Sequence, residues 1–185
     1  MSLPAFLGPY VSVPMGQGIS SPLGGAGANP LAFTMQAQLQ TEWCWAATSS
    51  SVCAFYARPP LQSQCEVATA CLGMACCSDP MPGPCNQPYY LDRALAETGN
   101  MAGTIVTGSL SFAQIVSEIT AGRPVCCHIS WRGRGGHFNA IYGYDSANQD
   151  VDLGDPFYGD QTLPLSTFVN NYQGAGGWDY SYRTN

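Results

Sequence analysis

Nine cysteines in 185 residues set the first constraint on what this chain can fold into. Thiols at this density, about 5 % of the residues, are too many for an ordinary cytosolic chain, where they stay reduced and serve as metal ligands or catalysts. The count is odd, so one thiol is left over if the rest pair. With Cys44 set aside, eight remain, enough for four disulfides in any of about a hundred connectivities between which the sequence does not choose. Cys65, Cys71, Cys76, Cys77 and Cys85 crowd into residues 61–86 among Gly, Pro, Ser and Asp, which reads as a loop region held by staples. The competing reading there is a zinc site, but the stretch has no CxxC pair and no histidine. Disulfides place the mature protein outside a reducing cytosol, secreted or extracytoplasmic, with delivery into a host as one route.

A chain of this length buries about 70 % of the surface it exposes when unfolded, enough for one domain, built if need be as two lobes. Residues 1–33 are rich in Gly, Pro, Ser and Ala and read as an irregular arm or pro-region; residues 34–185 carry the domain. The net charge is −6, and the six basic residues are scattered, which excludes the clustered positive charge that nucleic acid demands. All six are arginine. A GC-rich genome explains that simply; a protein evading ubiquitin attachment inside a eukaryotic host is the sharper reading. No apolar stretch approaches the ~20 residues of a membrane span. A secretory signal peptide is not visible at the N-terminus, so export uses another signal or a leader already removed. Nothing demands more than a monomer.

The first helix is predicted from Cys44 to Arg58, with Thr41 as N-cap and Pro59–Pro60 as its stop. A second covers 87–98, with Pro88 in its first turn and Gly99 beyond its end. A third follows the capping-box pair Ser111 and Gln114 and ends at Gly122. From there the chain changes to strands at 125–131 and 137–144, joined by an Arg/Gly-rich turn. Shorter strands follow near 150–153, 160–163 and 177–183, with a short helix near 166–172. Helices first and antiparallel strands later make an α+β pattern.

Cys44 falls at the predicted start of a helix, whose partial positive charge favours thiolate over thiol. The alternative is a buried cysteine between two core tryptophans, Trp43 and Trp45. Gln38, six residues earlier, can bring an amide N–H beside the sulfur, and with the Cys44 backbone N–H this makes an oxyanion hole. Gln36 and Gln40 are nearby competitors. Of the two histidines, His137 opens a strand just after Gly133, Gly135 and Gly136, which leave room around its ring. His128, inside a strand, reads as a structural histidine. Asp155, in an Asp-Pro pair that fixes its backbone, is placed to orient His137; Asp150 and Asp152 compete but read as solvated acids.

Gln-x5-Cys-Trp at a helix start, GlyGlyHisPhe opening a strand and AspPro closing the next resemble the papain-like peptidase superfamily. TrpCysTrpAlaAla (43–47), GlnCysGluValAla (64–68), the CysCys pair 76–77 and the run 85–95 look like bacterial cysteine proteases of the avirulence-effector type. GlyArgProVal (122–125) and TyrGlnGlyAlaGlyGlyTrp (172–178) look the same. The bacteriocin-leader peptidase domains share the Gln, Cys, His and AspPro pattern more distantly. The resemblance spans about 34–183 and implies a papain-like helical lobe packed on an antiparallel sheet, with the cleft between them. It implies Cys44 as nucleophile, His137 as base, Asp155 as its orienter and Gln38 as oxyanion donor, acting on a protein or peptide without cofactor or metal. Cys126–Cys127, in the strand after GlyArgProVal, departs from the pattern and leaves open an extra disulfide or a free thiol near the cleft. The alternatives are a non-catalytic peptide-binding module and a transpeptidase or cyclase with the same triad.

Overall fold

The computed structural model describes residues 30–185; the arm expected over 1–33 lies, up to residue 29, outside the described residues. Helices come first: α1 (Cys44–Tyr56), α2 (Gln64–Leu72) and α3 (Leu91–Glu97), with a 3₁₀ turn at Gly83–Cys85. Then follow β1 (Met101–Thr107), α4 (Phe112–Thr120), β2 (Val125–Trp131), β3 (Gly136–Asp145), β4 (Asp150–Gly154), β5 (Gln161–Pro164), α5 (Leu165–Asn171) and β6 (Gly176–Thr184). The six strands form one antiparallel sheet in the order β1-β6-β2-β3-β4-β5. This is the α+β, papain-like fold expected.

The sheet separates two cores. A strand sends alternate side chains to opposite faces. Cys126, Phe138, Ala140 and Tyr182 therefore join Trp43, Trp45, Val52 and Leu91 under α1–α3. Val125, Cys127, Ile129 and Ile141 join Ile115 and Ile119 of α4 and Phe168 of α5 on the other face. The same alternation decides the fate of the adjacent cysteines. Cys126 lies in the first core and Cys127 in the second, and burial pushes both thiols well above their ordinary pKa. The expectation of four disulfides is thereby corrected. There are two, Cys65–Cys77 and Cys76–Cys85, and Cys44, Cys53, Cys71, Cys126 and Cys127 are free. Four of the cysteines that a zinc site in 65–85 would draw on are in these bonds.

Three elements differ from the sequence expectations. The region 61–86 is not all loop: α2 begins at a capping box formed by Ser63 and Glu66. The second helix starts at Leu91 rather than at 87, because the segment before it runs extended and its Gln87 carbonyl accepts the indole N–H of Trp45 at 3.0 Å. β1 has no counterpart in the expectations. It is a mostly exposed edge strand whose register breaks between Ala102 and Val106, so it lacks clean alternation. α1 ends at Tyr56, the third helix follows the Ser111–Gln114 box, and the later strands and α5 fall where expected. No helix among the described residues is long and apolar enough to cross a membrane.

Candidate active site

Cys44 is the first residue of α1, and the start of that helix is held from outside. The N-cap is Trp43, not Thr41, and no side chain caps the helix. The first-turn N–H groups, which have no intrahelical acceptor, are therefore left without a side-chain partner beside Cys44. Thr41 Oγ1 instead accepts from Asn86 Nδ2 (2.9 Å), and Asn86 Oδ1 accepts from the Glu42 N–H (3.0 Å). Trp43 Nε1 donates to the Cys85 carbonyl at 2.7 Å. Cys85 is itself bonded to Cys76, so one disulfide braces the segment that positions the helix start.

His137 enters from β3, behind a hairpin turn in which Gly133 (φ 122°) and Gly135 (φ 82°) adopt conformations other residues rarely take. At Gly136 a side chain would collide with the His128 ring. His137 pairs across the strand with Ile129, whereas Phe138 pairs with His128, so the two histidines face opposite sides of the sheet. The His137 Nε2 donates to Asp155, 2.8 Å from each carboxylate oxygen, which leaves Nδ1 toward Cys44. Burial pulls the imidazole toward its neutral form. The Asp155 charge and hydrogen bond, with the neighbouring Cys44, outweigh that and hold its pKa above the ordinary histidine range. The rings of Trp131 and Tyr158 flank it at 6.2 and 6.0 Å between centroids.

Asp155 follows β4 and is buried. Its Oδ1 accepts the backbone N–H groups of Phe157 and Tyr158, both at 2.8 Å, closing the turn that begins at Pro156. Its Oδ2 accepts the Tyr172 hydroxyl at 2.7 Å and, more weakly, Asn139 Nδ2 at 3.5 Å. Burial alone would raise its pKa; the His137 charge and these donors hold it below the usual carboxylate range.

Gln38 is brought to this corner by its backbone N–H, which donates to the Pro156 carbonyl at 2.9 Å. Its side-chain Nε2 donates to the carbonyls of Gln40 (2.9 Å) and Thr41 (2.8 Å), so both amide hydrogens point into the turn that leads to Cys44. Its Oε1 is buried without a partner. Of its competitors, Gln36 accepts from Gln64 Nε2 at 3.3 Å. His128 stays apart and pairs with Asp179 at 2.6 Å; Asp152 accepts from Thr162 at 2.7 Å. The structure thus gathers Cys44, His137, Asp155 and Gln38 and leaves His128, Asp150 and Asp152 elsewhere. Sequence reasoning missed Tyr172, Tyr158 and Trp131. Tyr172 opens the tail motif 172–178, but nothing in its spacing tells that its hydroxyl reaches Asp155.

The model for the Peptidase_C39 like family matches residues 30–180. The chain belongs to that family. The matched span includes the site residues named above. Among solved structures, the peptidase domain of Streptococcus ComA, a bi-functional ABC transporter involved in a quorum-sensing pathway, is 13 % identical. That match covers 82 % of this chain and 98 % of that one at a TM-score of 0.53. A double glycine motif protease from an AMS/PCAT transporter, in complex with its leader peptide, is 15 % identical over 84 % and 94 % of the two chains, TM-score 0.47. The Pseudomonas avirulence protein AvrPphB is 12 % identical over 83 % and 97 %, TM-score 0.40. No curated protein matches the chain. At these identities the solved structures speak to the fold alone.

Proposed function

We propose that this member of the family is a cysteine endopeptidase in which Cys44 is the nucleophile, His137 the acid and base, and Asp155 the group that orients His137. The observation that carries the reading is the buried His137–Asp155 pair set beside a cysteine on an uncapped helix start. Membership of a peptidase family supports the reaction class.

In this reading the Cys44 thiolate, paired with protonated His137, attacks the scissile carbonyl and forms the C–S bond. The oxyanion takes the Cys44 backbone N–H and an N–H of Gln38, whose amide shares or gives up one of its two carbonyl acceptors. The intermediate collapses, the C–N bond breaks, and His137 hands its proton to the leaving amine. Water then attacks the thioester while His137 takes its proton; the acid product leaves and the thiolate returns. Asp155 stays ionised throughout, fixing the tautomer with Nε2 protonated and Nδ1 facing the sulfur. The substrate is a protein or peptide. The two disulfides support a secreted or extracytoplasmic site of action.

The test is brief iodoacetamide labelling at about pH 6 without reductant, read by intact mass and peptide mapping. Cys53, Cys126 and Cys127 are buried, and the half-buried Cys71 has its thiol pushed up to about 11 by burial and by Glu97, so none of these competes. One fast adduct on Cys44, lost in His137→Ala, is expected. A Cys44 that labels no faster than Cys71 overturns the dyad, as does peptidase activity surviving in Cys44→Ala.

A further inference from the structure

Beyond the triad, a cavity of about 450 Å³ opens beside His137, lined by Trp131, Arg132, Arg134, Tyr158 and Gln173 together with small residues. None of its lining residues is acidic. That matters in a chain with net charge −6 and only six cations. Glu118 pairs with both Arg123 and Arg183, while Arg58 and Arg93 lie over the rings of Tyr56 and Tyr90. Arg132 and Arg134 are both exposed, on the turn that leads into His137. Arg132 makes one hydrogen bond, to the Asn170 carbonyl at 3.2 Å, and neither has a carboxylate partner among the described residues. The acidic chain thus keeps two unneutralised guanidinium groups at one wall of a cavity whose other walls are aromatic.

The cavity's place relative to the reacting bond follows from His137. Its Nδ1 faces Cys44 and must also reach the leaving nitrogen, so the departing segment passes beside the imidazole ring. Trp131 and Tyr158, which flank that ring, are also walls of the cavity. We infer that this cavity receives the leaving side of the substrate and selects an aspartate or glutamate side chain there, held by Arg132 and Arg134 against Trp131. The inference rests on the peptidase reading above for its placement, though not for the binding of acidic peptides. A guanidinium holds a carboxylate through a planar pair of N–H donors, a geometry lysine does not match. Because both arginines are exposed, the preference weakens as salt rises.

A synthetic library of random dodecapeptides tests this in two arms. In the first, peptides retained by immobilised Cys44→Ala protein are sequenced, alongside those retained by the same protein carrying Arg132→Glu and Arg134→Glu. A third sample carries Arg58→Glu and Arg93→Glu, the same change in net charge placed elsewhere. Acidic residues should be enriched on the first and third proteins and depleted on the second. In the second arm, cleavage sites made by wild type and by the Arg132→Glu/Arg134→Glu variant are mapped by mass spectrometry. Acidic residues after the cut should favour wild type by roughly tenfold in kcat/KM, the scale of one hydrogen bond to a charged group, and lose that advantage in the variant. Equal retention on all three proteins overturns the acidic subsite. Acidic enrichment before rather than after the cut overturns its placement. Acidic retention without Cys44-dependent cleavage leaves the subsite standing and removes the peptidase reading instead.

Discussion

The molecule holds two histidine–carboxylate pairs on opposite faces of one hairpin, and they are built differently. His137 meets Asp155 through Nε2 with side chains 8 % and 0 % exposed. His128 meets Asp179 through Nδ1 with side chains 17 % and 39 % exposed. Asp155 accepts from two backbone N–H groups and a tyrosine hydroxyl besides its histidine; the Asp179 pair makes the single 2.6 Å contact. The second nitrogen differs most: that of His137 faces a thiol, whereas that of His128 lies against the backbone of Gly136. A short contact between imidazole and carboxylate is therefore not itself a signature of chemistry. What separates the two is what holds the carboxylate and what the free nitrogen can reach.

Asp155→Asn should break the first pair outright. The substitution keeps the shape but removes the charge that does most to raise His137, so the downward pull of burial is opposed mainly by Cys44 and the pKa falls. Activity is expected to fall on the order of a hundredfold or more. The alkaline limb of the kcat/KM profile, where the imidazolium loses its proton, should move to lower pH. In the wild type the raised His137 contributes stability below the unfolded histidine value near 6.5, and that contribution is lost as pH rises through the folded value. An unchanged alkaline limb in Asp155→Asn would show that the carboxylate does not govern the histidine.

Tyr172→Phe weakens the same pair more gently by removing one donor from Asp155, at the scale of a hydrogen bond to a charged group, about 1.5–3 kcal/mol. Asp155 is lowered in the folded state, so its contribution is present above the unfolded carboxylate value and lost as pH falls through the folded one. Without the hydroxyl the folded value rises toward the unfolded one, so the variant starts out less stable near neutral pH. It loses less on acidification and completes that loss at a higher pH, and the two stability curves converge as pH falls. Urea midpoints between pH 3 and 7 read this directly; parallel curves for wild type and variant would mean the hydroxyl only fills space.

The difference between these residues also marks where sequence stops being informative. Cys44, His137 and Asp155 stand out because each sits at a boundary with a local signal: a helix start after Gln-x5, a glycine turn before a strand, and an Asp-Pro after one. The strands at 125–131 and 137–144 are legible as runs rich in β-branched and aromatic residues on either side of an Arg/Gly-rich turn, although both are buried on both faces and carry no in-out alternation. The Ser63–Glu66 box that starts α2 was equally local, but the cysteines around it drew the reading toward a loop. Tyr172 on Asp155, the indole of Trp43 on the Cys85 carbonyl and the double hold on the Gln38 amide are contacts between distant segments, or side-chain choices among several acceptors. No spacing encodes them. The disulfide count failed for a related reason: parity of cysteines says nothing of which face of a sheet each one occupies.

The smallest effect belongs to the second pair, and it completes the comparison. Asp179 is 39 % exposed, so its contact with His128 is screened and worth about 0–1 kcal/mol. Asp179→Asn should lower the urea midpoint slightly and leave kcat/KM within about twofold, with the pH profile unchanged, since exposed pairs of this kind contribute little. The reason is geometric: His128 shares a face with Phe138 and Tyr182, on the side of the sheet away from His137, and packs against Phe138 at 5.0 Å and Tyr180 at 5.9 Å rather than against a nucleophile. If Asp179→Asn shifted the pH profile instead, the field of one pair would be reaching the other through the hairpin they share. The separation drawn between a structural and a reacting histidine would then fail.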